Sequence, residues 1–515
     1  MSRKPLSVQG LSAEWRGALW IAAGLTVVRL VALFSTRLEL YPDEAQYWVW
    51  SRTLDWGYFS KPPMIAWVIW ATTHLGGDSE PWVRLAAPLF HLGVTLAAFG
   101  IGRRLYGAAT GFAAAALYAL TPAIQLSSLV IATDAPLLFF LALSLLAYVE
   151  LLAATEARAR LAWAAGLGAA VGLGFLSKYA AVYAIAGLVL HLVISAQARK
   201  AWTLPAAAAA LGAFALILAP NLIWNATHGF ETLKHTADNA AWGGRQLFNF
   251  AELGQFLGSQ FGVFGPIPFA VLIGGSVLLA WRRRLTEADL TLMCFALPPL
   301  LIVSVQAFIS RANANWSGAA YVAGAILVAA WLMRWRAKGW LLAAIVSQGA
   351  LAGLFLACVL SQPFAEKIGL ANAFKRAKGW EATVHAIVER ASVDPGLTAV
   401  AVDDRFLFNA AGYYGRDFFQ APGAPPLRMW VREAHPNNQA ETTAPLTPAQ
   451  GRRVLAASLE LVYRDELAAD FRAVSDREIN SVMLDKKRRR RIETFIGQDF
   501  APRPRDPVTG LPTRP

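Results

Sequence analysis

Cysteine is nearly absent: the 515 residues contain two, Cys294 and Cys358, both inside apolar blocks. That excludes a disulfide framework, and two reduced, buried thiols say nothing about compartment. Charge is also scarce. Only 16% of residues are Asp, Glu, Lys or Arg, against about a quarter in ordinary soluble domains. No CxxC or HExxH pattern is present, and His228 and His235 are too few and too far apart to make a metal site alone. No internal repeat is visible. What remains is apolar: 56% of the chain is hydrophobic and mean hydropathy is +0.41. The apolar residues come in long blocks, which makes a bilayer the expected solvent. The net charge of +13 does not point to nucleic acid, because the basic residues sit mainly in short loops between those blocks. The basic start MSRKPLS precedes a block too long for a signal-peptide core, so it reads as a retained signal anchor.

Eleven blocks are long enough to cross or nearly cross about 30 Å of hydrocarbon: 16–36, 82–102, 107–123, 127–152, 161–176, 179–196, 202–223, 262–281, 289–309, 317–334 and 340–360. The third and fifth are short. Helices are the spanning element, since the backbone must satisfy itself in lipid. Arg3, Lys4 and Arg16 precede the first span. Arg103–Arg104, Arg158 and Arg160, Arg199–Lys200, Arg282–Arg284, and Arg334, Arg336 and Lys338 follow the even-numbered ones. With eleven spans all of these share one side, and the positive-inside rule makes it the cytoplasm.

The expected fold is therefore an α-helical polytopic membrane domain over 1–365 with outer loops 37–81 and 225–261. After about residue 372 short helical and strand patterns alternate. Residues 379–391 read as an amphipathic helix, and TAVAVDD (398–404) and LRMWV (427–431) as strands. This predicts a small outer α/β domain over 372–500, followed by a disordered Pro- and charge-rich tail, 501–515.

The chemistry gathers on the outer side. In LYPDEAQYWVWSRTLDWGYFSKPPMIAW, Pro42, Asp43 and Glu44 open an amphipathic helix. Proline and acids are ordinary in a first helical turn. Beside Tyr47, Trp48 and the Lys61-Pro62-Pro63 turn, however, a carboxylate is also placed to act as a general base on a hydroxyl. Asp134 stands where a helix cap would, and Lys178 where a lysine snorkels. Arg311 shares a turn with Asn313, Asn315 and Trp316, a donor set suited to phosphate and sugar hydroxyls. The run KKRRRR (486–491) reads first as a solvated charged face, with contact to anionic lipid A or membrane phosphates as the sharper alternative.

The acidic pair followed by Gly57-Tyr58-Phe59-x-Lys61-Pro62, together with LVIATDAPLLFF, GLGFLSKYA and SRANANWSGAAY, resembles the GT-C membrane glycosyltransferases. The resemblance covers roughly residues 10–360. It is nearest the protein mannosyltransferase-like branch that includes the lipid A aminoarabinose transferase and the rhizobial galacturonosyltransferases. The resemblance implies Asp43 as the catalytic carboxylate with Glu44 as its partner, and Lys61 as the loop lysine. It also implies a second functional acid at Asp134. The aminoarabinose branch carries Glu just before the loop lysine; this chain has Ser60.

These readings combine into an inverting transfer of sugar from a polyprenyl-phosphate donor to a lipid or glycan acceptor of the envelope. Lipid A or lipopolysaccharide core is the first acceptor by resemblance. Asp43 and Glu44 are the candidate catalytic residues. Lys61, Lys178 and Arg311 are the candidate donor-phosphate ligands, and Tyr47, Tyr58, Asp134, Asn313, Asn315 and Trp316 the candidate substrate contacts. A divalent metal near Asp43 and Asp134 is compatible with the residues and not demanded by them. The rival classes are a transporter or flippase, which would place ionisable groups at mid-membrane, and an envelope polysaccharide polymerase or ligase. Topology is directly testable: reporter fusions after residues 105, 235 and 400 should read inside, outside and outside. An inside signal at 400 contradicts the odd span count.

Overall fold

The computed structural model describes residues 12–240, 248–459, 462–486 and 488–513. Arg3, Lys4, Lys487 and part of the loop 225–261 lie outside the described residues. The chain forms two compact units. One comprises Met1–Ser35, Lys61–Ile65 and Arg84–Ala357; the other comprises Thr36–Ser60, Ala66–Val83 and Cys358–Pro515. Most of the expected first outer loop thus groups with the C-terminal residues.

The first unit is helical. Among the described residues seven helices are long and apolar enough to span: Ala13–Ser35, Glu80–Tyr106, Asp134–Ala153, Ala157–Ser177, Leu204–Thr227, Glu287–Ile309 and Lys338–Leu360. An eighth arises if Phe250–Val263 and Pro266–Trp281, bent by 118°, are counted together. The expected eleven are not reached on length and apolarity. Three of the expected spans are the shorter apolar helices Ala108–Leu120, Tyr179–Ile194 and Ala320–Arg334. The reason is local backbone chemistry. Gly107 takes φ 95°, and the helix after it ends where Thr121 leads into Pro122. Proline fits the first turn of a new helix but cannot continue an old one. At the 118° bend Gly265 takes φ 101°, a value that favours glycine, and Gln348 donates its side-chain N–H to the freed Phe264 carbonyl at 2.7 Å.

Small residues let the helices approach. A Cβ added at Gly168 would lie 1.9 Å from the Ala210 carbonyl oxygen, so helices Ala157–Ser177 and Leu204–Thr227 pack backbone to backbone, as small-residue seams do in lipid. Buried charge is paired. Asp289 is fully buried and accepts from Arg334 at 2.7 Å, from Trp331 Nε1 at 2.9 Å and from the Tyr106 hydroxyl at 2.9 Å. This is the condition under which a carboxylate tolerates burial.

The second unit contains a five-stranded sheet of β1 (Ala399–Val402), β2 (Leu427–Met429), β3 (Arg453–Ser458), β4 (Phe471–Met483) and β5 (Arg489–Phe500), in the order β2-β1-β3-β5-β4. β1 is parallel to β2 and β3; β5 runs antiparallel to β3 and β4. The parallel strands are separated by helices, including Arg405–Tyr414 between β1 and β2, so both faces are covered. That explains why TAVAV is apolar throughout rather than alternating. Val400 and Val402 pack with Ile387, Leu407 and Leu455 on one face, while Ala399 and Ala401 pack with Trp430, Val454 and Phe495 on the other. The amphipathic helix expected at 379–391 is Trp380–Ser392.

The tail departs from expectation. Residues 501–513 are held against the sheet: Arg503 and Arg505 donate to the fully buried Asp470 at 2.8 and 3.2 Å, and Arg505 bridges to Pro512. The basic residues that made the stretch look disordered are the ones that neutralise Asp470.

Asp403, at the end of β1, accepts from the Ser458 hydroxyl at 2.5 Å and the Leu459 N–H at 2.9 Å. Burial outweighs these bonds and pushes its carboxyl up to about 7. A folded-state value above the unfolded one means that the native state holds the proton longer. Stability therefore falls as pH rises from the ordinary Asp range near 4 to about 7. Asp403→Asn should flatten that dependence in thermal unfolding of the full-length protein; an unchanged pH slope would contradict the assignment.

Candidate active site

In the second unit the helix Pro42–Ser51 carries the acidic pair. Its start is set by Pro42 and by Glu44, whose carboxylate accepts the Tyr41 N–H at 2.9 Å, closing the first turn. Its apolar face is docked. Trp48 meets Tyr413 edge to face with centroids 5.0 Å apart. The Trp48 indole N–H donates to Asp78 at 2.8 Å. Just before the helix, the Leu40 N–H donates to the Tyr414 hydroxyl at 2.7 Å, and Glu39 accepts the Trp380 N–H. Burial raises the Glu39 carboxyl above its usual range, and the N–H groups of Trp380, Gly379 and Glu381 work against that rise.

Docking separates the two acids. Asp43 is exposed, whereas Glu44 is 0% exposed. Glu44, expected as a catalytic partner, is buried and caps the start of the helix, because a carboxylate at its third position reaches back to the free N–H groups there. Tyr47 and Tyr58, expected as substrate contacts, are buried too. Tyr58 stacks on Trp50 at 4.9 Å. Its hydroxyl lies 3.0 Å from the Thr53 carbonyl and 3.2 Å from the Asp55 N–H, and burial pushes the phenol up to about 12. It folds the loop rather than facing a ligand.

Asp43 borders a cavity of about 260 Å³ walled by Tyr41, Pro42, Lys375, Arg376, Trp380, Phe406, Leu484, Arg488 and Arg490. Four cations thus share a cavity with one exposed carboxylate. Sequence reasoning singled out Arg488 and Arg490 only as part of the run 486–491, and missed Lys375 and Arg376. Arg490 belongs to β5 and Arg488 lies just before that strand's first residue, so no sequence period marks the two as neighbours. Lys375 and Arg376 follow the last apolar block and offered no pattern.

In the first unit the structure unites three predicted residues. Lys178 Nζ lies 2.9 Å from Asp134 Oδ1, with about a quarter of each side chain exposed. Asn315 lies 3.5 Å from the other Asp134 oxygen. Asp134 opens the helix Asp134–Ala153, where the dipole favours an anion. Arg311 and Asn313 are exposed in the same segment, and Trp316 packs beside Phe256, Val303 and Ala307. Lys61 is half-buried ahead of the buried Pro62 and Pro63. Among the described residues no group of three or more His, Cys, Asp or Glu could hold a metal ion; the Asp134 oxygens are engaged by Lys178 and Asn315.

The fold matches a solved one. The structure of ArnT from Cupriavidus metallidurans bound to undecaprenyl phosphate aligns with TM-score 0.64 at 19% identity, covering 94% of this chain and 98% of that one. Residues 60–224 match the family model of dolichyl-phosphate-mannose-protein mannosyltransferase. Over 320 residues the chain is 40% identical to the lipid A galacturonosyltransferase RgtD of Rhizobium johnstonii. In sequence and in fold the chain is similar to the GT-C glycosyltransferases. A second GT-C relative, the undecaprenyl phosphate-alpha-4-amino-4-deoxy-L-arabinose arabinosyl transferase of Serratia proteamaculans, is 24% identical over 322 residues. The matches cover 62% and 58% of this chain, and 66% and 56% of those relatives, less than two thirds of either.

The ion pair between Asp134 and Lys178 is testable. Exposed pairs contribute about 0–1 kcal/mol and breaking a buried one costs about 3–5 kcal/mol. For a pair a quarter exposed, Asp134→Asn, Lys178→Met and the double variant should give a coupling of about 1–2 kcal/mol in reversible unfolding. Additive effects would contradict the pairing.

Proposed function

We propose that the protein is an inverting glycosyltransferase of the bacterial inner membrane. It moves a sugar from a polyprenyl-phosphate donor to a hydroxyl of an envelope acceptor at the periplasmic face, with lipid A or lipopolysaccharide core as the acceptor class. The observation that carries this reading is the splitting of the acidic pair: Glu44 is buried as a helix cap, while Asp43 stands exposed at a polar cavity. The relatives support the substrate classes, a polyprenyl phosphate bound by one and lipid A as the substrate of another. The 40% identity to RgtD makes galacturonosyl the first donor sugar to try.

The chemistry is one displacement. Asp43 takes the proton of the acceptor hydroxyl as its oxygen attacks the anomeric carbon. The bond from that carbon to the phosphate oxygen breaks, and the electron pair leaves with the polyprenyl phosphate. A phosphate already leaves readily, so the remaining task is cationic stabilisation of the charge it carries away. Lys61, Lys178 and Arg311 supply that, with Asp134 and Asn315 holding Lys178 at the helix end. The N-terminus lies in the cytoplasm and the C-terminal domain in the periplasm.

Asp43→Asn keeps the side-chain shape and removes the base. In full-length protein in nanodiscs, with undecaprenyl-phosphate sugar as donor and lipid A as acceptor, turnover read by the product mass should fall by about 10²–10⁴-fold. Donor binding should persist. If Asp43 merely began a surface helix, Asn would cost only about 0.3–1 kcal/mol of dipole stabilisation, and near-normal turnover would overturn the reading.

A further inference from the structure

Another cavity opens in the helical unit, at the helix ends remote from Asp134. It encloses about 310 Å³, within the range of about 300–1,000 Å³ usual for ligand clefts. Its wall includes Val149, which follows Asp134 by fifteen residues on the helix Asp134–Ala153. That is about 22 Å along the axis, so the cavity lies far from the Lys178–Asp134 pair. The polar groups of the wall are Arg104, His191, Ser195, Gln197, Glu287 and Thr291. The transfer chemistry uses none of them. The helix ends that meet here bear Arg103–Arg104 and Arg199–Lys200, which face the cytoplasm in the proposed topology.

Hydrogen-bond bookkeeping separates the spent groups from the available ones. The Thr291 hydroxyl donates to the Glu287 carbonyl at 2.8 Å, so toward His191, 3.2 Å away, it can only accept. Nε2 of the buried His191 is therefore a donor, and Nδ1 accepts from the Tyr148 hydroxyl at 2.8 Å. Both ring nitrogens are used within the protein, and the ring is neutral. The Glu287 side chain differs. It is exposed and accepts from the Ser195 hydroxyl at 3.2 Å, and among the described residues no Lys or Arg pairs with it. The helix start does not need it, because Thr286 and Asp289 form the capping box there. Neighbouring cations are engaged elsewhere: Arg103 with Glu14 at 2.6 Å, and Arg199 with the Leu192 and Val193 carbonyls at 2.8 and 3.0 Å. Arg104 makes one long contact, 3.5 Å to Glu150, and is nearly half exposed. The wall thus holds an oriented carboxylate without a cation and a guanidinium with donors to spare.

These groups define a ligand. An oriented carboxylate recognises a cation that can donate hydrogen bonds, and a guanidinium recognises a phosphate. One molecule that satisfies both carries an ammonium and a phosphate together. The wall also includes Leu105, Val149 and Leu152. Such apolar surface gains from burying the glycerol end of a lipid and gains little from a wholly polar metabolite. We propose that this cavity binds the phosphoethanolamine headgroup of a membrane lipid, with Glu287, oriented by Ser195, on the primary ammonium and Arg104 and Gln197 on the phosphate. The site is independent of the role of Asp43. It rests on the proposed topology only for which leaflet supplies the lipid.

The test needs no transfer assay. Full-length protein in detergent is titrated with phosphatidylethanolamine, phosphatidylcholine and phosphatidylglycerol of identical chains, and bound lipid is read by native mass spectrometry. The wild type should bind phosphatidylethanolamine about tenfold or more tightly than phosphatidylcholine, whose trimethylated nitrogen has no N–H to donate. Glu287→Gln keeps an acceptor for Ser195 and removes the charge. It should lose about tenfold in phosphatidylethanolamine affinity and close the gap to phosphatidylcholine. Arg104→Gln should weaken both lipids alike, since it acts on the phosphate they share. Equal binding of the two lipids by the wild type overturns the proposal without any variant. So does an affinity that Glu287→Gln moves by less than about twofold, or tightest binding by phosphatidylglycerol, which would make the cavity a site for anions. Free O-phosphoethanolamine separates the two sources of the headgroup. It should displace the lipid only in large excess; displacement at matching concentration overturns the lipid assignment in favour of a soluble ligand. Active Asp43→Asn would overturn the transfer reading and leave each of these outcomes unchanged.

Discussion

The arrangement around Asp43 depends on one packing contact, the aromatic face of Pro42–Ser51 against the helix Arg405–Tyr414. Trp48 and Trp50 are buried in the second unit, and Tyr413 and Tyr414 meet the helix or the residue just before it. An aromatic pair of this geometry adds about 0.5–1.5 kcal/mol beyond the burial of its surface. That energy fixes the rotation of the helix about its axis. Once Trp48 is inside, Glu44, one turn earlier on the same face, must be inside as well, and its cap bond to Tyr41 compensates for the burial. Asp43 is left outside. The separation of two adjacent carboxylates into a buried one and an exposed one is thus a consequence of side-chain periodicity.

The same contact changes what the C-terminal domain is. By sequence it is a small α/β module following the membrane helices. By packing it holds most of the first outer loop, and it lends the cavity beside Asp43 its cations. If Asp43 is the base, the reactive side chain is positioned by residues more than 300 positions away in the chain. The Lys178–Asp134–Asn315 cluster belongs to the helical unit, so the acid expected to meet the acceptor and the lysine expected to meet the lipid phosphate are supported independently.

Much of this was legible in the sequence, and the failures have physical causes. Apolar block length located the helices, because the bilayer imposes a length and forbids exposed backbone polar groups. Three of the eleven blocks form helices of 10–17 residues, one of them bounded by Gly107 and Pro122, because hydropathy is blind to φ. The buried strand at 399–402 was readable from an apolar run bounded by Asp403 and Asp404. The tail was not, because its order comes from Arg503 and Arg505 reaching Asp470, a pairing across more than 30 residues that composition cannot show. Asp43 stood out through its company in the loop, but the role of Glu44 required knowing which face of the helix was docked. Of the cavity's cations, Arg488 and Arg490 lie within the basic run 486–491, while Lys375 and Arg376 stand in no pattern at all.

The central claim is a single displacement driven by one carboxylate, and its stereochemistry is the most direct witness. The anomeric configuration of the product, set against that of the polyprenyl-phosphate donor by proton NMR coupling constants, reports the number of displacements without assuming any residue's role. The account predicts inversion with wild-type protein. A product that retains the donor's configuration would require a covalent glycosyl-enzyme intermediate or a front-face mechanism, and would contradict the assignment of Asp43 as a base acting on the acceptor hydroxyl.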